Sequence, residues 1–181
     1  MPEKRPPTQV EIIQLSPDEW EELRDLKQHS LQEEPVALEN PTTATRKYLD
    51  RTEEEWRHIL SGGRSGWKEG ETLMFFARKG DEYVGMVSSI IPEGSGEAIV
   101  QHMYVKGDHR SEGIGKKLIN HLLDSLKARG DLERIKLEVV VTQVPAITMY
   151  RNLGFAETGM TKGAIDWTDE PLDELNMELV L

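Results

Sequence analysis

The chain has 181 residues, a length that suits one domain of ordinary size. Its 22 Lys and Arg against 33 Asp and Glu leave a formal net charge of −11, which lacks the cationic field that phosphate backbones or anionic lipids require. It contains no Cys, which excludes a disulfide framework, a thiolate nucleophile and a cysteine-bound metal, and no apolar run approaches the ~20 residues of a membrane span. We therefore expect a cytoplasmic protein with a neutral or cationic substrate and no nucleic-acid or membrane partner.

The chain begins with a segment that has no apolar pattern. Residues 1–8 contain three Pro and are predicted to form a flexible tail, followed by a single domain over residues 9–181. Alternating apolar residues predict a strand from Val10 to Leu15. Ser16 then begins a capping box, so a helix is expected over residues 17–31.

A second capping box, Thr52 with Glu55, predicts a short helix that ends near Leu60. From Thr72 onward the periodicity changes to that of strands separated by Gly-containing turns. Three antiparallel strands are predicted, over residues 72–78, 82–91 and 97–105. A long amphipathic helix, a buried strand, a short helix and two closing strands follow, over residues 113–129, 134–141, 146–153, 155–160 and 172–181.

The segment Arg110-Ser111-Glu112-Gly113-Ile114-Gly115 lies between a predicted strand and a predicted helix. Small residues here let a ligand approach the backbone, and the free amides at the start of a helix attract an anion such as a pyrophosphate. The segment lacks the third Gly of the dinucleotide fingerprint, and Gly115-Lys116-Lys117 lacks the hydroxyl of a Walker loop. Taken alone, the Gly pair is equally compatible with an ordinary tight helix entry.

The surroundings of this segment resemble a known family. Arg110 to Gly115 is similar to the R/Q-x-x-G-x-G/A motif of the Gcn5-related N-acetyltransferases, the GNAT family. About forty residues later, Leu137-Glu138-Val139 and the stretch Ala146 to Phe155 resemble the second signature of that family. Two motifs in the expected order make the resemblance specific.

The resemblance implies an α/β (α+β) fold with a mixed, mostly antiparallel sheet of about seven strands, helices on both faces, and a cleft between the fourth and fifth strands for acetyl-CoA. The resemblance further implies that the backbone of Met103 to Val105 pairs with the pantetheine arm and that the amides of Ser111 to Lys116 hold the pyrophosphate. Gln143 stands where the family often has Asn. The residues implied in cosubstrate binding are Met103, Tyr104, Val105, Arg110, Ser111, Glu112, Gly113, Ile114, Gly115, Lys116 and Gln143.

Acetyl transfer to an amine poses two proton problems, at the ammonium and at the departing thiolate. Tyr150 matches the family tyrosine near the thioether sulfur and is the predicted acid, with packing beside Phe155 as the alternative. Glu138 resembles the glutamate of members that act on protein amino termini and is the predicted base, with a solvated strand residue as the alternative. Gln101 can hold only a water, and His102 is expected on the opposite sheet face by strand alternation.

The leading hypothesis is an acetyl-CoA-dependent N-acetyltransferase that acts on a primary amine of a small molecule or peptide by direct attack. The alternatives are a non-catalytic CoA-binding module and a structural domain in which the glycines merely cap a helix. The His residues have no metal-ligand spacing, so no metal is expected. The acceptor site is expected to be formed by the region Pro17–Gly70, with Trp67 in a lid, and by the loop Thr161–Pro171. The protein is expected to be a monomer or a homodimer.

Overall fold

The computed structural model describes residues 9–34, 50–63, 70–166 and 168–181. The predicted tail over residues 1–8 and the predicted lid residue Trp67 lie outside these described residues. No helix in the described ranges is long and apolar enough to cross a membrane.

Seven strands form one sheet with the order β1-β2-β3-β4-β5-β7-β6. All neighbours are antiparallel except β4 and β5, which are parallel. The strands are β1 (Val10–Ile13), β2 (Gly70–Lys79), β3 (Glu82–Pro92), β4 (Glu97–Val105), β5 (Arg134–Val140), β6 (Ala156–Ile165) and β7 (Leu172–Val180).

Within the described ranges, four α-helices connect these strands: α1 (Trp20–Glu33), α2 (Glu53–Leu60), α3 (Ile114–Lys127) and α4 (Val144–Asn152). Both predicted capping boxes are formed. The Glu55 amide donates to the Thr52 hydroxyl over 3.3 Å, and the Thr52 amide donates to the Glu55 carboxylate over 2.7 Å. The first predicted helix begins with a 3-10 turn at Pro17–Glu19 before it becomes α-helical.

Two apolar cores lie on opposite faces of the sheet. On one face, α3 and α4 pack against the inward residues of β5, among them Ile135, Leu137 and Val139. On the other face, α1 and α2 contribute to a second core that includes Phe76 and Tyr104. The predicted fold class, a mixed sheet with helices on both faces, is confirmed.

Candidate functional site

A cleft of about 750 Å³ opens where β4 and β5 separate. The two strands pair only from Glu97 opposite Arg134 to Ile99 opposite Lys136. Beyond Ile99 the strands diverge, which confirms the predicted opening between the fourth and fifth strands. Because their facing backbone groups are no longer paired with each other there, an extended ligand can pair with them.

A β-bulge bends β4 at the mouth of the cleft. Ser88 of β3 lies opposite Gln101 and Met86 lies opposite Tyr104, so one extra residue is inserted, and His102 has a φ of 52°. The His102 Nδ1 lies 3.0 Å from the Ser88 hydroxyl. The prediction that alternation places His102 away from Gln101 is therefore wrong, because the bulge interrupts the period of two and places the imidazole beside Ser88 in the cleft.

Successive residues of β4 direct their backbone N–H and C=O groups alternately toward β3 and toward the cleft. The Lys106 amide donates to the Val84 carbonyl over 2.9 Å, so by the alternation of antiparallel pairs Tyr104 also directs its backbone groups to β3. Val105 directs its own backbone toward the cleft, and its carbonyl accepts the Arg110 Nε over 3.0 Å. The pairing predicted for the Tyr104 backbone is therefore corrected, and Val105 is the residue suited to it.

The start of α3 forms an amide-lined seat at one end of the cleft. Ser111 and Gly113 have φ values of 65° and 79°, which turn the chain sharply into the helix. A Cβ added at Gly115 would lie 3.1 Å from the Met103 Cε, so a side chain at this position would be tightly packed against β4. The first turn of α3 carries no acidic residue, and this seat suits the pyrophosphate of acetyl-CoA.

The side chains of residues 110–116 differ in whether they line the cleft. Arg110 and Lys116 line the cleft together with Ser111. Glu112 does not contribute to the lining, because its carboxylate lies 2.7 Å from the Lys79 ammonium. Ile114 is buried in the core below the helix, so it can offer only its backbone to a ligand.

Two carboxylates at the end of α1, which sequence reasoning missed, contact residues of the candidate site. Glu33 accepts hydrogen bonds from the Tyr104 hydroxyl over 2.7 Å and from the Gly107 amide over 2.9 Å. These bonds, led by that from Tyr104, hold the pKa of Glu33 below its ordinary value. No local signal could have found it, because Tyr104 lies 71 positions further along the chain.

Glu34 reaches both sides of the cleft. Its carboxylate lies 2.7 Å from the Arg110 guanidinium and accepts the Gln143 side-chain amide over 3.2 Å. Arg110 and Gln143 are both predicted to contact the cosubstrate, so Glu34 engages the groups that a phosphate or pantetheine would use. Gln143 also precedes α4, where its backbone carbonyl accepts the Ile147 amide.

Tyr150 lies on α4 and reaches the cleft from the α3 and α4 side of the sheet. It is 5% exposed, and its ring packs edge-on against Phe155 with centroids 5.8 Å apart. Burial raises the pKa of its phenol to about 12, so the hydroxyl keeps its proton at neutral pH. No residue in the described ranges hydrogen-bonds this hydroxyl, which lines the cleft as a free donor.

Glu138 enters the same cleft from the other face of the sheet. It alternates with Leu137 and Val139, which are buried in the core that includes Tyr150. Its own side chain is exposed and lines the cleft. Tyr150 and Glu138 therefore flank the cleft from opposite faces of the sheet.

Glu174 on β7 is a further cleft carboxylate that the sequence analysis did not single out. It lies opposite Val140, and Glu138 lies opposite Asn176, so the two Glu residues are diagonal neighbours on adjacent strands. Burial, followed by the charge of Glu138, raises the pKa of Glu174 above its ordinary value. Among the described residues no group of three or more His, Asp or Glu has an arrangement that could hold a metal ion.

A model of the Acetyltransferase (GNAT) family matches residues 20–155 of this chain, and the chain belongs to this family. The resemblance inferred from the two motifs is thus confirmed. The [ribosomal protein bS18]-alanine N-acetyltransferase of Escherichia coli strain K12 is 34% identical over 83 residues, which cover 46% of this chain and 55% of that protein. The matched segment thus spans about half the length of that curated relative.

Solved structures share the fold over nearly the whole chain. A GNAT acetyltransferase from Streptococcus pneumoniae superposes with a TM-score of 0.78 at 18% identity and covers 96% of this chain and 99% of its own. The PaiA N-acetyltransferase from Thermoplasma acidophilum, solved in complex with coenzyme A, has a TM-score of 0.70 at 18% identity, with coverage of 96% and 99%. At this identity the likeness supports the fold.

Proposed function

We propose that this protein is an acetyl-CoA-dependent N-acetyltransferase that acetylates a primary amine of a small molecule or a peptide. The observation that carries the proposal is the cleft between β4 and β5, which has an amide seat at one end and has Glu138 and Tyr150 on its opposite faces. The GNAT family match supports the same reaction.

The donor would be held mainly by backbone groups. The amides at the start of α3 suit the pyrophosphate, and the cleft-facing backbone of Val105 suits the pantetheine arm. Arg110 and Lys116 add positive charge near the seat, and Gln143 also lines the cleft. Acetyl-CoA supplies an activated thioester whose carbonyl carbon the amine attacks.

The residues of the chain then handle the protons. Glu138 takes a proton from the acceptor ammonium, directly or through a water, so that the nitrogen regains the electron pair with which it attacks. Tyr150 donates a hydrogen bond to the sulfur as negative charge develops there. Because the pKa of Tyr150, about 12, exceeds the ~8.5 of an ordinary thiol, this bond stabilises the thiolate without transferring the phenolic proton fully.

The acceptor end of the cleft favours a cationic amine. Its lining includes the carboxylates of Glu138 and Glu174, and the chain as a whole carries a net charge of −11. The Escherichia coli relative is named for an alanine of a ribosomal protein, so peptide amino termini belong among the acceptors to be tried. We also propose that the protein acts in the cytoplasm, as a monomer or a homodimer.

The test is a screen of amines with acetyl-CoA, in which free thiol release and acetylated product are both quantified. Polyamines, amino acids, aminoglycosides and short peptides with free amino termini cover small-molecule and peptide acceptors. We expect stoichiometric thiol and acetyl-amine formation with at least one class. If acetyl-CoA bound tightly and no amine were acetylated, the catalytic proposal would fail in favour of a CoA-binding module.

A further inference from the structure

We propose that Glu174 is the second half of the proton-accepting site, and that Glu174 and Glu138 together receive the ammonium of the acceptor. This inference rests on the proposed acetyltransferase function and adds a residue to it. It begins from the placement of the two carboxylates on β7 and β5, at the end of the sheet where the cleft is open.

The two carboxylates are close enough to act together. Diagonal neighbours on adjacent antiparallel strands lie about 7 Å apart, which is within the combined reach of two Glu side chains. Glu138 and Glu174 occupy such positions, and the negative charge of Glu138 acts on Glu174. A single ammonium between them can therefore contact both.

Neither carboxylate is paired within the described ranges, unlike the acidic residues around them. Asp173, next to Glu174, lies 2.7 Å from the Lys162 ammonium. Glu97, on the face that carries Glu138, lies 2.8 Å from the Lys136 ammonium. Two adjacent like charges without a cation are unfavourable, and an incoming cation relieves that repulsion.

Tyr150 provides an independent reason to place the reaction here. Tyr150 as a residue is buried, its hydroxyl has no partner among the described residues, and it lines the same cleft from the other face of the sheet. An acyl group near this donor would present its carbonyl carbon toward the side where Glu138 and Glu174 lie. The nucleophile then approaches from the carboxylate pair, and the sulfur leaves toward Tyr150.

Among the described residues, none of the strand neighbours that face Glu174 is a cation. On β5 it faces Val140 and Glu138, and on β6 it lies opposite Thr161. The charged and titratable groups that line the rest of the cleft are Glu34, His102, Tyr104, His109, Arg110, Lys116 and Tyr150. Among all of these, Glu138 is the one whose charge changes the pKa of Glu174.

The step balances within the protein and the two substrates. The ammonium N–H bond breaks, the proton passes to the Glu138 and Glu174 carboxylate pair, and the electron pair that stays on nitrogen forms the new C–N bond. The C–S bond then breaks with its electron pair on sulfur, and the second proton that nitrogen loses goes to the departing thiolate. A carboxylate with a raised pKa is a stronger base near neutral pH than an ordinary one. Glu138 is exposed, so it can relay the proton to solvent and restore the pair for the next turnover.

The first measurement needs no turnover. Carboxyl NMR of the glutamate-labelled free protein should show Glu174 titrating above the ordinary ~4.3, with a shift toward lower pH in Glu138→Gln. A Glu174 that titrates at the ordinary value and ignores Glu138→Gln would overturn the coupling and the proposal with it.

The second measurement is the pH dependence of kcat/KM with an amine of high pKa. Glu174→Gln should lose about 100-fold at neutral pH and recover part of the loss as pH rises and free amine becomes available. Glu174→Asp should retain an intermediate rate. Glu178→Gln is the matched control, because Glu178 lies on the same strand but faces Arg134 at the closed end of the sheet.

The outcomes separate the two proposals. A wild-type protein that acetylates no amine overturns the proposed function and the role of Glu174 together. If the wild type is active, and Glu174→Gln is folded by thermal melting and has the same pH profile as the wild type, then the role of Glu174 alone is overturned.

Discussion

At the proposed donor end of the cleft the candidate binding groups are backbone amides from one continuous segment, residues 111–116, whereas at the proposed acceptor end they are side chains from strands distant in sequence. A backbone seat needs only a tight turn and a helix start, and Gly113 and Gly115 make both possible. The carboxylates of Glu138 and Glu174 meet only because β7 pairs with β5. The donor seat therefore forms from one short segment of the chain, whereas the acceptor site forms only when β5 and β7 pair in the sheet.

The largest expected effect is that of Tyr150→Phe, which removes the hydroxyl that is proposed to donate a hydrogen bond to the departing sulfur. We expect kcat to fall about 100-fold or more, because the hydroxyl matters most as charge develops on sulfur, while acetyl-CoA affinity stays near wild type. Steady-state kinetics and calorimetry measure the two quantities. Tyr83→Phe is the matched control, since the Tyr83 hydroxyl bonds Glu19 outside the cleft; wild-type turnover in Tyr150→Phe would show that Tyr150 only packs.

The next effect tests the donor seat. Gly115→Val should weaken acetyl-CoA binding by about tenfold or more, because an added Cβ would lie 3.1 Å from the Met103 Cε and the branched side chain would crowd the helix start where the amides are proposed to bind. Isothermal calorimetry gives the affinity. Gly159→Val, at an exposed β6 position with an ordinary contact, serves as control, and unchanged affinity in a folded Gly115→Val protein would contradict the backbone seat.

A smaller effect in the opposite direction is expected at Glu34. Glu34→Gln removes the charge that holds Arg110, so acetyl-CoA affinity should rise by about threefold, an effect that added salt should reduce. Equilibrium binding at two salt concentrations measures it. Glu21→Gln on the exposed side of α1 controls for the change of net charge, and weaker binding by Glu34→Gln would mean that Glu34 assists the donor instead of competing with it.

The smallest effect concerns stability rather than catalysis. Glu33 has a lowered pKa in the folded protein, so its contribution is fully present above the pKa of the unfolded chain and is lost as pH falls through the folded value. Glu33→Gln should cost about 1 kcal/mol near neutral pH, because its bonds from Tyr104 and Gly107 weaken, and the difference should shrink in acid. Thermal melts at several pH values measure this, and a difference independent of pH would assign the cost to packing alone.

The elements themselves were predicted well because their signals are local. The β4 bounds agree fully with the prediction. The helix α3 begins at Ile114, one residue after the predicted start at Gly113, whose positive φ turns the chain into the helix. β6 extends five residues beyond the predicted Met160, because its pairing with β7 continues through a register shift. That pairing depends on a partner strand, which periodicity along one segment does not describe.

Within the site, alternation along a strand failed at His102, because the bulge inserts a residue that no composition signal marks. Glu33, Glu34 and Glu174 were missed for a related reason. Each is an acidic residue among many in an acidic chain, and each gains its role from partners more than 30 positions away, or, at Glu174, from a neighbouring strand and burial.

The sequence by itself determined the order of strands and helices, both capping boxes, the amide seat before α3 and the family, because each depends on residues within a few positions or on two short motifs. Only the tertiary structure decided which edge of β4 faces the cleft, what engages Arg110, and that Glu138 has Glu174 for a neighbour. These features follow from strand pairing and from burial, whose effects on charge act through space rather than along the chain.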